Sequence, residues 1–159
     1  ISFDCCYCVC GTKEAAEYLA AYQTLPAHKP FLVPVYQAHI ALAEYDEKKA
    51  DAIMEKAEHQ FRNEKGFLFE KAQYHARKCE YQKAIDYYEL SWNNDQRPRY
   101  TDALHGIATI YKILGNKPKA IETYDRMILC IKEEWGYADT DAAVTEVERQ
   151  RARLIKQQK

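Results

Sequence analysis

The sequence predicts an all-α fold built from antiparallel helix pairs, on three observations. Apolar residues recur three and four positions apart across most of the 159 residues, which is helical spacing. An alanine near the start of a helical segment recurs at Ala16, Ala50, Ala84 and Ala120, at intervals of 34, 34 and 36 residues. A candidate N-cap and a candidate turn residue precede each alanine at a fixed distance. These agreeing columns favour a repeat over chance periodicity.

The candidate N-caps stand four residues before the alanines, and the turn residues stand just before the caps. The predicted caps are Thr12, Asp46, Glu80 and Asn116. Threonine, aspartate and asparagine cap well, because a side-chain oxygen accepts a free backbone N–H at the helix start. The predicted turn residues are Gly11, Tyr45, Cys79 and Gly115. Both glycines fit the left-handed conformation that often ends a helix.

The elements follow in order from this register. The predicted repeats cover residues 1–27, 30–62, 66–95 and 100–135, with first helices at about 32–44 and 67–78. The first repeat holds Phe3 and Tyr7 in a first helix that the start of the chain cuts short. Pro30 and Pro98 mark boundaries, because proline biases its predecessor away from helix. The longer helix after Ala120 is predicted to run to about residue 135.

A last helix over residues 139–157 is predicted to cap the array, with Asp139 or Thr140 at its start. Its apolar face holds Val144, Val147, Leu154 and Ile155. Stacked repeats leave an open hydrophobic end, which a helix with a polar outer face closes. Its basic residues, Arg149, Arg151, Arg153, Lys156 and Lys159, are interpreted as a solvated outer face rather than a nucleic-acid contact.

Composition and charge limit the function classes. The net charge of −1 gives no global basic field, which argues against nucleic acid as the partner. No apolar run reaches the length of a membrane span, so no membrane partner is expected. Six cysteines without a disulfide pattern fit a reduced, cytoplasmic compartment. The length predicts one domain, and the start at Ile1 without a methionine indicates a fragment of a larger protein.

The stretch from Leu104 to Met127 resembles the tetratricopeptide repeat. The family pattern W-x2-L-G-x2-Y…A-x3-F is matched by Leu104, Ile107, Ala108, Tyr111, Ala120 and Tyr124. The resemblance extends over roughly residues 3–131. It implies a right-handed α-solenoid of about four helix pairs, a C-terminal capping helix, and a buried ring at Tyr111.

The resemblance also implies a concave groove lined by the first helix of each pair, which binds a protein or peptide partner. The matching positions are Val33, Gln37, Phe69, Gln73, Arg77, His105, Thr109 and Lys112. We expect a non-enzymatic scaffold, with an acidic group of the partner near Arg77 or Lys112. The Lys and Asn clamp with which one subfamily holds chaperone tails is not present at these positions. The uncovered Phe3 favours end-to-end self-association.

Two alternatives remain open. The chain could be the peptide-sensing domain of a bacterial transcription regulator or signalling protein. The cluster Cys5, Cys6, Cys8 and Cys10 could hold a metal or act as a thiol site, although no second ligand pair follows at finger spacing. Otherwise no catalytic constellation and no cofactor motif is found. His39 and His75 are predicted half-buried between helices, and Cys79 and Cys130 are interpreted as packing residues.

Overall fold

The computed structural model describes residues 11–156, and every regular element in that range is an α-helix. The eight helices are α1 (Thr12–Gln23), α2 (Leu32–Ala43), α3 (Glu47–Phe61), α4 (Phe67–Arg77), α5 (Tyr81–Asn94), α6 (Asp102–Ile113), α7 (Lys117–Glu133) and α8 (Ala142–Lys156). The prediction of an all-α fold is confirmed for these residues, and α1 packs on α2, α2 on α3, α5 on α6, α6 on α7 and α7 on α8. The predicted first helix of repeat one, with Phe3 and Tyr7, lies outside the described residues.

The same tight turn joins α2 to α3, α4 to α5, and α6 to α7. In the first, Tyr45 has a φ of 60°, its N–H donates to the Leu42 carbonyl at 3.0 Å, and the Asp46 N–H donates to Ala41 at 2.9 Å. This pair of bonds is the Schellman motif, which satisfies carbonyls left free at a helix end. The other two turns form the same backbone N–H to carbonyl bonds. In the α4–α5 turn they run from Cys79 to Ala76 (3.0 Å) and from Glu80 to His75 (3.0 Å). In the α6–α7 turn they run from Gly115 to Lys112 (3.1 Å) and from Asn116 to Tyr111 (2.8 Å).

The alanine column is present, shifted by one residue in its first member. Ala50, Ala84 and Ala120 are completely buried, as expected. In α1 the buried residue is Ala15, whereas Ala16 is exposed, so the assignment of Ala16 was wrong. The cause lies in the cap. Helix α1 begins at Thr12 with Gly11 as its N-cap, so Thr12 is the first helical residue and not the predicted cap.

Every member of the corrected column stands four residues after its cap. The Ala15 N–H donates to the carbonyl of Gly11 at 3.2 Å. The corresponding bonds are Ala50 to Asp46 (3.0 Å), Ala84 to Glu80 (3.0 Å) and Ala120 to Asn116 (3.1 Å). A small side chain at this position lets the second helix of a pair approach its neighbour closely, because packed interiors leave no room for more.

Two of the predicted caps act through their side chains. The Asp46 carboxylate accepts the Lys49 N–H at 3.0 Å, and the Asn116 side-chain oxygen accepts the Lys119 N–H at 3.3 Å. Glu80 occupies the N-cap position of α5 without a side-chain cap bond. Its carboxylate is engaged elsewhere, as described below.

The described helices group into two units. In the first, residues 11–74, a core of α2, α3 and α4 contains residues that are nearly inaccessible to solvent. Its buried members are Phe31, Val35, Ala38, Ala41, Ala50, Met54, Ala57, Phe67 and Tyr74. Helix α4 is tied to α3 by the Tyr74 hydroxyl, which donates to Asp51 Oδ1 at 2.7 Å, and by the buried Lys71, 2.5 Å from Glu58 Oε1. Ala15 and Leu19 attach α1 to this unit through Ile40.

In the second unit, residues 75–156, α5 packs on α6, α6 on α7, and α7 on α8. Helices α5 and α6 approach closely at Gly106 of α6, where an added Cβ would lie 2.6 Å from Cζ of the buried Tyr88 of α5. Arg126 of α7 forms a bidentate pair with Glu89 of α5, at 2.5 and 2.8 Å. Helix α8 is fixed to α7 by the Tyr124 hydroxyl, which lies 3.1 Å from Gln150 Oε1.

The last helix differs from its prediction in two respects. It begins at Ala142, because the Asp141 carboxylate accepts the Ala138 N–H at 2.6 Å and closes a turn over residues 138–141. Val144, Val147 and Leu154 are buried as predicted, but Ile155 is 37% exposed. Ile155 follows Leu154 directly, and adjacent helical residues point in directions about 100° apart.

Candidate functional site

The first-helix residues in the first unit lie on the faces that the core leaves uncovered. Val33 and Gln37 stand four residues apart on α2, where Val33 is half-buried and Gln37 is exposed. Phe69 and Gln73 have the same spacing on α4, and both are half-buried. Residues four apart share a helix face, so each helix presents one apolar group beside one amide.

The remaining predicted residues belong to the second unit. Arg77 is exposed at the last position of α4. On α6, His105, Thr109 and Lys112 form a stripe of exposed and half-buried residues opposite the buried Leu104, Ile107, Ala108 and Ile110. The Lys112 ammonium lies 5.9 Å from the centroid of the Tyr124 ring, at the outer limit of a cation–π contact. That all eight residues line one groove stays a prediction.

Sequence reasoning missed a polar cluster around Arg99, which holds the segment between α5 and α6. The Arg99 N–H and guanidinium donate to the Glu134 carboxylate at distances from 2.5 to 3.3 Å. The Arg99 carbonyl accepts from Trp135 Nε1 at 2.7 Å and from Cys130 Sγ at 3.4 Å. Its guanidinium also lies 4.0 Å above the ring of Trp92. We call this cluster the Arg99 clasp.

The Arg99 clasp strongly favours the ionised forms of both Arg99 and Glu134. The hydrogen bonds from the Arg99 guanidinium lower the pKa of Glu134 to about 2 and raise the pKa of Arg99. Arg99 and Glu134 are 35 residues apart and share no motif, so no spacing rule predicted the contact. The only available signal was the tryptophan beside a charged pair, Glu133 and Glu134, near a helix end.

The two predicted interhelical histidines have different environments. His39 is buried to 1% exposure, more deeply than predicted, with ring contacts to Tyr36 and Tyr74. His75 is half-buried as predicted and stacks on Tyr87 at 5.2 Å. The His75 Nδ1 lies 2.6 Å from Glu80 Oε2, and this contact, followed by that with Lys83, lowers the pKa of Glu80.

Cys130 and Cys79 also lie in different environments. Cys130 is buried, as predicted for a packing residue, and burial raises the pKa of its thiol to about 11. The same interpretation was wrong for Cys79, which is exposed because it occupies the left-handed turn position between α4 and α5. The cluster at Cys5–Cys10 lies outside the described residues. Within residues 11–156, no three His, Cys, Asp or Glu side chains come together as a metal site would require.

Tyr111 also departs from expectation, because its ring is half-buried rather than enclosed. The Lys119 ammonium lies 5.3 Å from the ring centroid, so one side of the ring faces a solvated cation. The loss on truncation should therefore fall below the value for a buried aromatic residue.

The chain has no match among family models, curated proteins or solved structures. Of the helices between residues 11 and 156, none combines the length and apolarity needed to cross a bilayer. The side chains on the described first-helix faces determine which interactions these faces can make. They provide amides, a hydroxyl, an imidazole and cations for hydrogen bonds and ion pairs, beside two half-buried apolar groups.

Proposed function

We propose that the chain is a non-enzymatic scaffold of tetratricopeptide type that binds an extended peptide of a protein partner on the first helices of its pairs. Support comes from the recurrence of one turn and one buried alanine position across the described pairs. A repeated pair presents the same helix face again and again, and such arrays bind through that repeated surface. The proposed partner is a protein or a peptide.

The observation that carries the proposal is the composition of the uncovered first-helix faces. Gln73 and Thr109 each stand six residues before the turn residue that follows their helix, and Gln37 stands eight before Tyr45; each remains accessible in the described structure. Amide and hydroxyl groups can both donate and accept, so they suit the backbone of an extended peptide. The half-buried Val33 and Phe69 stand one turn before two of them and offer apolar contacts.

The test replaces the three polar groups together. The variant Gln37→Ala, Gln73→Ala, Thr109→Ala removes hydrogen-bonding groups without touching a core residue, so its circular dichroism should match wild type. The matched control, Gln23→Ala, Gln60→Ala, Thr145→Ala, makes the same chemical changes at exposed positions of α1, α3 and α8. Proteins captured from cells of the source organism are quantified for wild type and both variants.

We expect the specific partners of wild type to be lost with the first variant and kept with the control. A capture profile that is the same for all three proteins would remove the first-helix faces as the binding surface. Equal loss in both variants would do the same, because the effect would then be independent of position. Reversing Arg77 and Lys112 to Glu tests the finer prediction that a partner's acidic group lies near these cations.

A further inference from the structure

The turn between α6 and α7 carries two exposed aliphatic side chains that its own folding does not require. Ile113 is 59% exposed and Leu114 is 53% exposed. They follow one another at the end of α6, directly before Gly115. A Cβ added to Gly115 would meet no other atom within 4 Å. We call Lys112–Lys119 the basic turn.

The two equivalent turns show that the geometry of this turn does not require an apolar pair at these positions. The positions of Ile113 and Leu114 hold Ala43 and Glu44 in the α2–α3 turn. They hold Arg77 and Lys78 in the α4–α5 turn. All three turns form the same pair of backbone hydrogen bonds, so charged side chains serve that backbone equally well. Ile113 and Leu114 therefore offer two adjacent exposed apolar groups that the turn itself does not need and that a partner could contact.

The charged side chains nearest to the pair along the chain have one sign. No acidic residue occurs between Asp102 and Glu122, while lysines stand at 112, 117 and 119. The other two turns carry acids, with Glu44, Asp46 and Glu47 in one and Glu80 in the other. The Lys112 and Lys119 ammonium groups lie 5.9 and 5.3 Å from the rings of Tyr124 and Tyr111, which keeps both beside the turn.

We propose that the basic turn docks an acidic protein segment that inserts an apolar side chain against Ile113 and Leu114. The lysines around Ile113 and Leu114 are complementary to acidic residues that flank an apolar side chain of the partner. This charge complementarity would orient the partner segment and make its binding specific. Lys112 is common to this surface and to the proposed peptide-binding face, whereas Ile113, Leu114 and Lys119 differ from the amide and hydroxyl groups tested there.

An acidic protein segment fits better than an anionic bilayer for two reasons. A single acyl chain already gives only marginal membrane binding, and two partly covered aliphatic side chains offer less apolar surface. A bilayer is also an extended plane, which would meet the rest of a chain whose net charge is negative. A short segment meets only the basic turn.

The test uses a synthetic peptide in which two leucines stand among aspartates and glutamates, and a matched peptide with serines for the leucines. Backbone amide shifts of the isotope-labelled chain are followed by NMR, with wild type and the variant Ile113→Ala, Leu114→Glu. That variant copies the α2–α3 turn, which this fold already accepts. The control Ala43→Ser, Glu44→Gln alters the equivalent positions there.

We expect the leucine peptide to shift amides of residues 112–119 and the serine peptide to bind about tenfold more weakly or less. The Ile113→Ala, Leu114→Glu variant should lose about tenfold or more in affinity, while the control binds as wild type does. Raising salt from about 0.05 to about 0.5 M should weaken binding. Shifts spread over lysines elsewhere, undiminished binding by the variant, or tighter binding to phosphatidylserine vesicles than to the peptide would overturn the proposal. Failure here leaves the first-helix faces untouched, because the triple variant that tests them changes Gln37, Gln73 and Thr109 and no residue of the basic turn.

Discussion

Replacing Gly106 by alanine sets helix propensity against packing, and the structure indicates which prevails. In a free helix the change should stabilise by about 1 kcal/mol, because glycine is the poorer helix former. Here the new Cβ would lie 2.6 Å from Cζ and 2.7 Å from Cε2 of Tyr88, while ordinary contact begins at 3.4 Å. The ring must therefore retreat by about 0.8 Å.

The room for that retreat is small, because Tyr88 is only 5% exposed. Overpacking of this kind costs about 1–3 kcal/mol, so we expect Gly106→Ala to be destabilising by about 1 kcal/mol after the gain in propensity. Urea denaturation followed by circular dichroism measures the change in the free energy of unfolding.

A second background isolates the cause. With Tyr88→Leu already in place, the ring carbons that the Cβ would meet are gone, and Gly106→Ala should become neutral or stabilising by up to about 1 kcal/mol. The reasoning is refuted if Gly106→Ala stabilises the wild-type chain, or if it destabilises both backgrounds equally.

Three further predictions test the turns, the clasp and the register. Cys79→Gly should stabilise by about 0.5–1 kcal/mol, because the residue has a φ of 59° that glycine adopts without strain; Lys78→Gly beside it should destabilise in the same urea titration. The pKa of Glu134 is lowered to about 2, so its stabilising effect is full above pH about 4.5 and is lost as the pH falls toward 2; the difference in stability between wild type and Glu134→Gln should shrink across that window. Ala15→Leu should lower the free energy of unfolding by about 1–3 kcal/mol through overpacking, whereas Ala16→Leu should change it by no more than about 0.5 kcal/mol. If thermal denaturation showed Ala16→Leu to be the more destabilising, Ala16 would be the buried position, as first predicted.

Much of the fold was predictable because its signals are local. The spacing of apolar residues located α2, α4 and α6, and the residues at 45, 79 and 115 were correctly placed in turns. The error at Ala16 arose because a step of 34 residues back from Ala50 was assumed, whereas the buried Ala15 lies 35 residues before Ala50; the chain uses Gly11, whose φ is 87°, as the cap, although threonine is the better cap by propensity. Propensity ranks the options, but one residue of difference is decided by packing.

The interactions that fix one helix on another could not be predicted. The contact of Tyr88 with Gly106 and the bonds of Arg99 to Glu134 join residues far apart in the chain, and neither has a spacing rule. For the candidate site, the sequence located accessible positions on α2, α4 and α6. The stacking of the repeats and the common groove remain predictions, because they depend on such contacts between helices.

The Arg99 clasp also makes a prediction about motion. Because one residue uses its N–H, carbonyl and guanidinium at once, the segment before α6 cannot detach while the final turn of α7 stays in place. Amide hydrogens of residues around 99 and around 134 should therefore exchange with solvent in a single opening event, with one common free energy. Partial fraying from either side is then suppressed, and this corner of the molecule should resist cleavage at Arg99 by trypsin although arginine is the residue that trypsin recognises.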